Sequence, residues 1–95
     1  MKKLDVILSQ AIDEDFSRLC EVREVGQHFT KTVGVQGKGN TIPKMDDDTW
    51  PQENVHYMMI VPDGEVEQIK QIVEYLRSLF PDEGIAGFVS ECDPL

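Results

Sequence analysis

The sequence has few basic residues. Nine Lys and Arg stand against eighteen Asp and Glu, so the 95-residue chain carries a net charge of −9. Contacts to phosphate backbones need clustered Lys and Arg, so this balance argues against nucleic acid as a partner and against anionic membrane surfaces. Solubility is the simplest explanation of the charge, and metal cations or basic proteins remain compatible partners.

The sequence also has only two cysteines and no long apolar segment. Cys20 and Cys92 are too few for a disulfide scaffold, and Cys20 falls in an apolar helical stripe. No stretch of about 18 apolar residues is present, and the apolar segment 4–8 is too short for a signal peptide. These two observations predict a cytoplasmic protein. At 40% hydrophobic and 28% charged residues, the composition is that of an ordinary globular protein, and the length fits one domain.

Periodicity predicts four strands and two helices. Alternating or β-branched runs predict the strands, and spacings of three and four predict the helices. The predicted strands are 3–9, 29–35, 55–61 and 85–89. The first helix follows the acidic residues Asp13–Asp15, with Gly26 in the glycine position after its end. The second helix is predicted to be capped by Asp63 and ended by Pro81.

This order predicts an α+β, ferredoxin-like βαββαβ fold for the single domain 1–95. Such a fold has a four-stranded antiparallel sheet with both helices on one face. Tyr57 lies on one side of its strand and Met58 and Ile60 on the other, so both sheet faces carry apolar residues. The uncovered face therefore predicts a homo-oligomer.

Between the two middle strands, from Gln36 to Asn54, no periodic pattern is present. Glycines, prolines and the acidic run Asp46–Asp48 exclude a regular element there. A loop of about 19 residues is long for a compact domain, and such loops are usually functional.

Several segments, taken in order, resemble the PII-like (nitrogen regulatory protein PII) signalling superfamily. The similarity covers the Met-Lys-Lys-Leu start of the first strand, the first helix ending at Gly26, and Val-Pro-Asp at 61–63. It also covers Val-Gly-Val-Gln-Gly-Lys-Gly-Asn-Thr at 33–41 and Gly-Ile-Ala-Gly-Phe-Val at 84–89. The order and spacing of these segments carry the resemblance.

The resemblance implies a homotrimer that binds a small effector in clefts between subunits. A flexible T-loop, at about 37–54 here, would relay occupancy to a regulated transporter or enzyme. The turn at 80–84 would correspond to the B-loop, which packs against nucleotide phosphates. An adenine nucleotide is the effector that the family suggests. Asp82 and Glu83 stand in this turn where nucleotide-binding members carry a Lys, so the sequence leaves the effector open.

Candidate effector-binding residues follow from the residue types in the segment 37–41 and from the family resemblance. Gly37, Lys38, Gly39, Asn40 and Thr41 offer backbone N–H groups and one cationic side chain, and they form either an anion nest or a plain hinge.

The resemblance adds Gly84 and Gly87 to the effector-binding candidates. Trp50, a large aromatic residue in a polar loop, is predicted to contact a partner or a neighbouring subunit, together with Met45.

A CutA-like metal-responsive trimer is the alternative. His28, Glu53 and His56 are weak candidate ligands for a transition metal, and Asp46–Asp48 could attract hard cations. A solvated charge run explains the acidic loop more simply. No nucleophile elbow and no pair of carboxylates in an apolar setting is present, so the sequence predicts no enzyme.

Overall fold

The computed structural model describes residues 1–38 and 53–95, and within them the element order is βαββαβ. The strands are β1 (Lys2–Ser9), β2 (Phe29–Val35), β3 (Asn54–Val61) and β4 (Ile85–Glu91), and the helices are α1 (Asp13–Arg23) and α2 (Val66–Leu79). Short 3₁₀ turns, Gln10–Ile12 and Asp63–Glu65, lead into the two helices. The predicted α+β ferredoxin-like fold is confirmed.

The four strands form one sheet in the order β2-β3-β1-β4. All three pairings are antiparallel, and β1 lies in the middle against β3 and β4. Alternate residues of each strand therefore share a face. On β1 and β3 the face under the helices is apolar and buried, and the core includes Leu4, Val6, Leu8, Phe16, Val55, Tyr57, Met59, Ile69, Ile72 and Leu76. Cys20 belongs to this core, where burial raises its pKa to about 11.

The end of α1 differs from the prediction. Glu24, with φ of 56°, takes the left-handed conformation after the helix, and its N–H donates to the carbonyls of Cys20 and Glu21. Gly26 lies two residues further on at φ 64°, where an added Cβ would approach Met59 within 3.1 Å. Glycine suits this position because its φ is positive and the chain passes close to the Met59 side chain, not because it ends the helix.

The start of α2 also differs. Asp63 does not cap the helix; its carboxylate accepts a hydrogen bond from the N-terminal ammonium of Met1 at 2.9 Å. Glu65 Oε1 accepts instead from the N–H of Gly26 at 2.8 Å, which ties the start of α2 to the chain leaving α1. The prediction failed because the intervening 3₁₀ turn moves the helix start to Val66.

No helix in the described part of the chain is long and apolar enough to cross a membrane.

Candidate functional site

Two connections meet β1 at one end of the sheet. The N–H of Ser9 donates to the carbonyl of Gly84 at 2.8 Å, and the N–H of Gln10 donates to the carbonyl of Glu53 at 2.9 Å. Ser9 is fully buried, and its hydroxyl caps the following 3₁₀ turn. The turn 80–84 and the residue that precedes β3 are thus held by two consecutive residues of the chain, at the end of β1.

The two described ends of the long connection between β2 and β3 also lie at this end of the sheet. Asn54 pairs with Ser9 of β1 and with Val35 of β2. Two residues after Val35, Gly37 passes so close to Asn54 that an added Cβ would lie 2.2 Å from the side-chain nitrogen. Glycine at this position lets the two ends of the connection approach each other.

We call Ser9–Gln10, 36–38, Glu53–Asn54 and 80–84 the sheet-end cluster. Lys38 is its exposed base, whereas Glu53, Asp82 and Glu83 are acidic. An anion bound here would meet Lys38 and the backbone N–H groups of the glycine-bearing strand exit, but also like charges on the turn.

The predicted effector residues divide into three groups. The sheet-end cluster contains Gly37, Lys38 and Gly84. Gly39, Asn40 and Thr41, with the predicted interface residues Met45 and Trp50, lie outside the described residues. Gly87 lies elsewhere, opposite Val6 in the middle of β4 on the side of the sheet that the helices cover. That position is three residues along the chain from Gly84, which precedes β4.

The proposed metal ligands do not converge. The carbonyl of His28 accepts from Ile60 N–H at one end of β3, whereas His56 pairs with Thr32 and Ile7 four residues along the same strand. At about 3.3 Å per residue, the two histidines are separated by about 13 Å. Residues 1–38 and 53–95 contain no group of three His, Cys, Asp or Glu side chains that could hold a metal ion.

A polar cluster that the sequence did not predict joins α1 to β2 and β3. The Tyr57 hydroxyl donates to Asp13 Oδ1 at 2.5 Å, and Lys31 Nζ lies 2.6 Å from Asp13 Oδ2. Burial, reinforced by Asp13, raises the pKa of Tyr57 to about 12. The hydrogen bond to Asp13 raises the pKa of Lys31.

The sequence gives little indication of this cluster, because Asp13 cannot be distinguished there from the other two acidic residues at the start of the helix. The polar groups of this cluster bind one another, since the Asp13 carboxylate accepts from both the Tyr57 hydroxyl and the Lys31 ammonium. The Tyr57 ring also packs against Phe16 at 5.1 Å and Phe29 at 5.3 Å between centroids. We interpret it as a structural clasp on the edge strand β2.

The open face of the sheet carries a second polar network. Asp5 Oδ1 lies 2.9 Å from His56 Nε2, and Asp5 Oδ2 lies 3.6 Å from Lys3 Nζ. Among the described strand residues that point to this face, these three are the ionisable ones. Ile7 and Phe88, 37% and 62% exposed, lie beside them.

The fold and this arrangement can be compared with known proteins. No protein-family model matches the chain, and no curated protein matches it. Solved structures do match. One is CPII, a nitrogen regulatory PII-like protein from Thiomonas intermedia K12, bound to ADP, AMP and bicarbonate. It is 21% identical with a TM-score of 0.69, over 99% of this chain and 94% of CPII.

The chain has the PII-like fold. A putative PII-like signalling protein from Thermus thermophilus also matches, at 19% identity and a TM-score of 0.61, over 94% of this chain and 82% of the other. The apo form of CPII matches at 19% identity with a TM-score of 0.56, over 94% and 87% of the two chains. The predicted resemblance is thus confirmed at the level of the fold.

Proposed function

We propose that this protein is a cytoplasmic PII-like signal-transduction protein. It assembles as a homotrimer, binds a small effector in the clefts between subunits, and regulates a transporter or an enzyme through the segment 37–54. It catalyses no reaction of its own.

The observation that carries the proposal is the sheet-end cluster. Two consecutive residues, Ser9 and Gln10, hold both the turn 80–84 and the described end of the long connection through backbone hydrogen bonds of 2.8 and 2.9 Å. A ligand that contacts the turn also lies beside the base of the connection. Binding can therefore bias the conformation of a partner-binding segment, provided that the ligand prefers one of its states.

The open face supports assembly. Ile7 and Phe88 are exposed apolar residues on a face whose described ionisable groups, Lys3, Asp5 and His56, form one connected network. A chain of net charge −9 approaches copies of itself most easily where its acidic groups are fewest. A closed homo-oligomer covers such a face without leaving a new one exposed.

An adenine nucleotide is the effector class that we propose. CPII, which has the same fold, was solved with ADP, AMP and bicarbonate. Among the described residues of the sheet-end cluster, Lys38 is the base available for the phosphate group, and Asp82 and Glu83 oppose a high negative charge. AMP, which carries fewer charges than ATP, should therefore bind more tightly than ATP when no divalent cation is added.

Two measurements test this function. Light scattering at micromolar concentration should give the mass of three chains. Isothermal titration calorimetry should show binding of AMP or ADP, weakened about tenfold or more by Lys38→Ala, because a charge-assisted contact contributes about 1.5–3 kcal/mol. Arg18→Ala removes an equal charge from the exposed side of α1 and should leave binding unchanged.

A monomer, or no heat with AMP, ADP or ATP, would refute the proposal. A stability increase with copper or zinc but with no nucleotide would favour the CutA-like alternative.

A further inference from the structure

A groove lies between α2 and the edge strand β4, on the helix-covered side of the sheet. Its volume is 240 Å³ and it opens to solvent on one side. Residues of β1, α2 and β4 line it. Its apolar lining includes Val6, Val66, Ile69, Val73, Gly87 and Val89. We call this the α2–β4 groove. Gly87, which the sequence singled out, belongs to it and not to the sheet-end cluster.

Gly87 is the reason that the groove is open. It faces α2 in the middle of β4, and a Cβ added there would lie 3.9 Å from a methyl of Val6 and 4.0 Å from a methyl of Val73. Both are ordinary van der Waals distances, so a Cβ would fit without strain. The absence of one leaves the groove open above Val6 and Val73, which are 1% and 6% exposed, and Val89 is 54% exposed beside it.

The rim of the groove is basic in an otherwise acidic chain. Lys70 and Arg77, two of the nine basic residues, lie seven positions apart on α2, and therefore on the same side of the helix. The Arg77 Nε–H donates to the carbonyl of Ile85 at 3.2 Å, which holds the guanidinium at the start of β4. Glu74 lies between the two bases and opposes them.

We propose that the α2–β4 groove binds an amphipathic monocarboxylate. Its carboxylate would lie against Lys70 or Arg77, and its apolar chain would cover the surface above Gly87. With a volume of about 240 Å³ the groove is small for a ligand site, which favours a compound with a short alkyl chain. An apolar floor with a few polar groups at one side is the usual composition of such sites.

This site is separate from the proposed nucleotide site. The apolar floor of the groove lies between α2 and the middle of β4, whereas the sheet-end cluster lies beyond the start of β4. Arg77, bonded to the carbonyl of Ile85, is at the boundary between the two. The two proposals can therefore fail independently: octanoate and AMP should not compete for binding, whatever the outcome of the AMP titration alone.

Octanoate, octylamine and octanol are the probes that test the proposal. They share the same chain length and differ in the head group. Titration followed by calorimetry should show octanoate binding at least about tenfold more tightly than octylamine, with octanol between them, because the rim carries a net positive charge. Amide chemical-shift changes on octanoate addition should concentrate at Val66, Val73 and Gly87.

Three variants separate the contributions of shape and charge. Gly87→Val should weaken octanoate binding about tenfold or more by filling the groove, and Lys70→Gln with Arg77→Gln should weaken it about fivefold. Glu74→Gln removes the opposing charge and should strengthen binding about threefold. Circular dichroism checks the fold of each variant. Gly87→Ala, which adds one methyl group at an unstrained position, serves if Gly87→Val fails to fold.

Three results would overturn the proposal. The first is equal affinity for octanoate and octylamine. The second is a Gly87→Val protein that folds and binds octanoate as tightly as the wild type. The third is a set of shift changes confined to residues 36–38 and 80–84, which would place octanoate in the sheet-end cluster.

Discussion

The two faces of the sheet are built from the same four strands and differ sharply. Val6 and Leu8 of β1 point under the helices and are each 1% exposed. Their neighbour Ile7 points the other way and is 37% exposed, between His56 of β3 and Ala86 of β4. One face is a closely packed core except at the α2–β4 groove, whereas the other mixes apolar residues with an ionic network.

The difference shows which interactions the isolated chain completes. On the helix-covered side, even a charged group has its partners, since Asp13 accepts from Tyr57 and from Lys31. On the open side the apolar residues meet solvent. Exposed apolar residues grouped on one face mark a surface for another molecule, and in our proposal that molecule is a second copy of the chain.

The largest expected effect is in the covered core. Leu76, fully buried on α2, should lose about 2–5 kcal/mol of unfolding free energy when replaced by alanine, because the cavity left behind adds to the lost burial. Leu79→Ala, three residues further along and 52% exposed, should lose less than about 1 kcal/mol. Urea denaturation measures both. Equal losses would mean that α2 is packed differently from this structure.

A smaller loss is expected at the clasp between α1 and β2. Tyr57→Phe removes a hydrogen bond to a charged acceptor and should lower the unfolding free energy by about 1–3 kcal/mol at pH 8. The pKa of Tyr57 is raised from 10.0 to about 12 in the folded protein. Its contribution is therefore complete below pH 10 and is lost as the pH rises towards 12.

The wild type and Tyr57→Phe should thus differ in stability at pH 8 and converge at high pH. Burial also raises the pKa of Cys20, and the hydrogen bond to Asp13 raises that of Lys31, so the wild type loses further stability in the same direction. Comparison with Tyr57→Phe removes the Cys20 effect, which both proteins share. A difference that grows with pH would contradict the assigned hydrogen bond.

On the open face the expected effect is on association. Ile7→Lys places a charge in the middle of this surface and should weaken self-association at least about tenfold, or about 1.4 kcal/mol. Val22→Lys, at a 75% exposed position on α1, is the matched control and should change nothing. Sedimentation equilibrium measures both. An unchanged mass for Ile7→Lys would mean that the open face is not the assembly surface.

The smallest effect is expected for the ionic network in the monomer. In the Ile7→Lys background, Asp5→Asn should lower the unfolding free energy by less than about 1 kcal/mol, because partly exposed ion pairs contribute little. The side chains of Asp5 and His56 are 28% and 37% exposed. A loss as large as that of Leu76→Ala would show that the network is a buried structural element even without assembly.

Periodicity was a good guide to the strands and a poor one to the ends of the helices. Phe29–Val35 was predicted to the residue, because alternation and β-branching are properties of the segment itself. The helix ends were misassigned at Gly26 and Asp63, since α1 ends at Glu24 in the left-handed conformation and a 3₁₀ turn precedes α2. Neither is visible in a local pattern.

The candidate site was predicted in part. Glycines and a lysine at the base of a long connection indicated Gly37 and Lys38, and the order of segments indicated Gly84. The sequence could not separate Gly87 from Gly84, because both follow the same helix within a few residues. Register decides between them: Gly84 bonds to Ser9 at the end of the sheet, whereas Gly87 pairs with Val6 under α2.

The sequence by itself determined the element order and the acidic character of the chain, because spacing and composition are local properties. Only the tertiary structure decided which distant residues meet. The separation of His28 from His56, the clasp of Asp13 on Tyr57 and Lys31, and the groove above Gly87 all follow from strand register and helix packing. Contacts across many residues depend on how the elements pack, and a local pattern does not encode that packing.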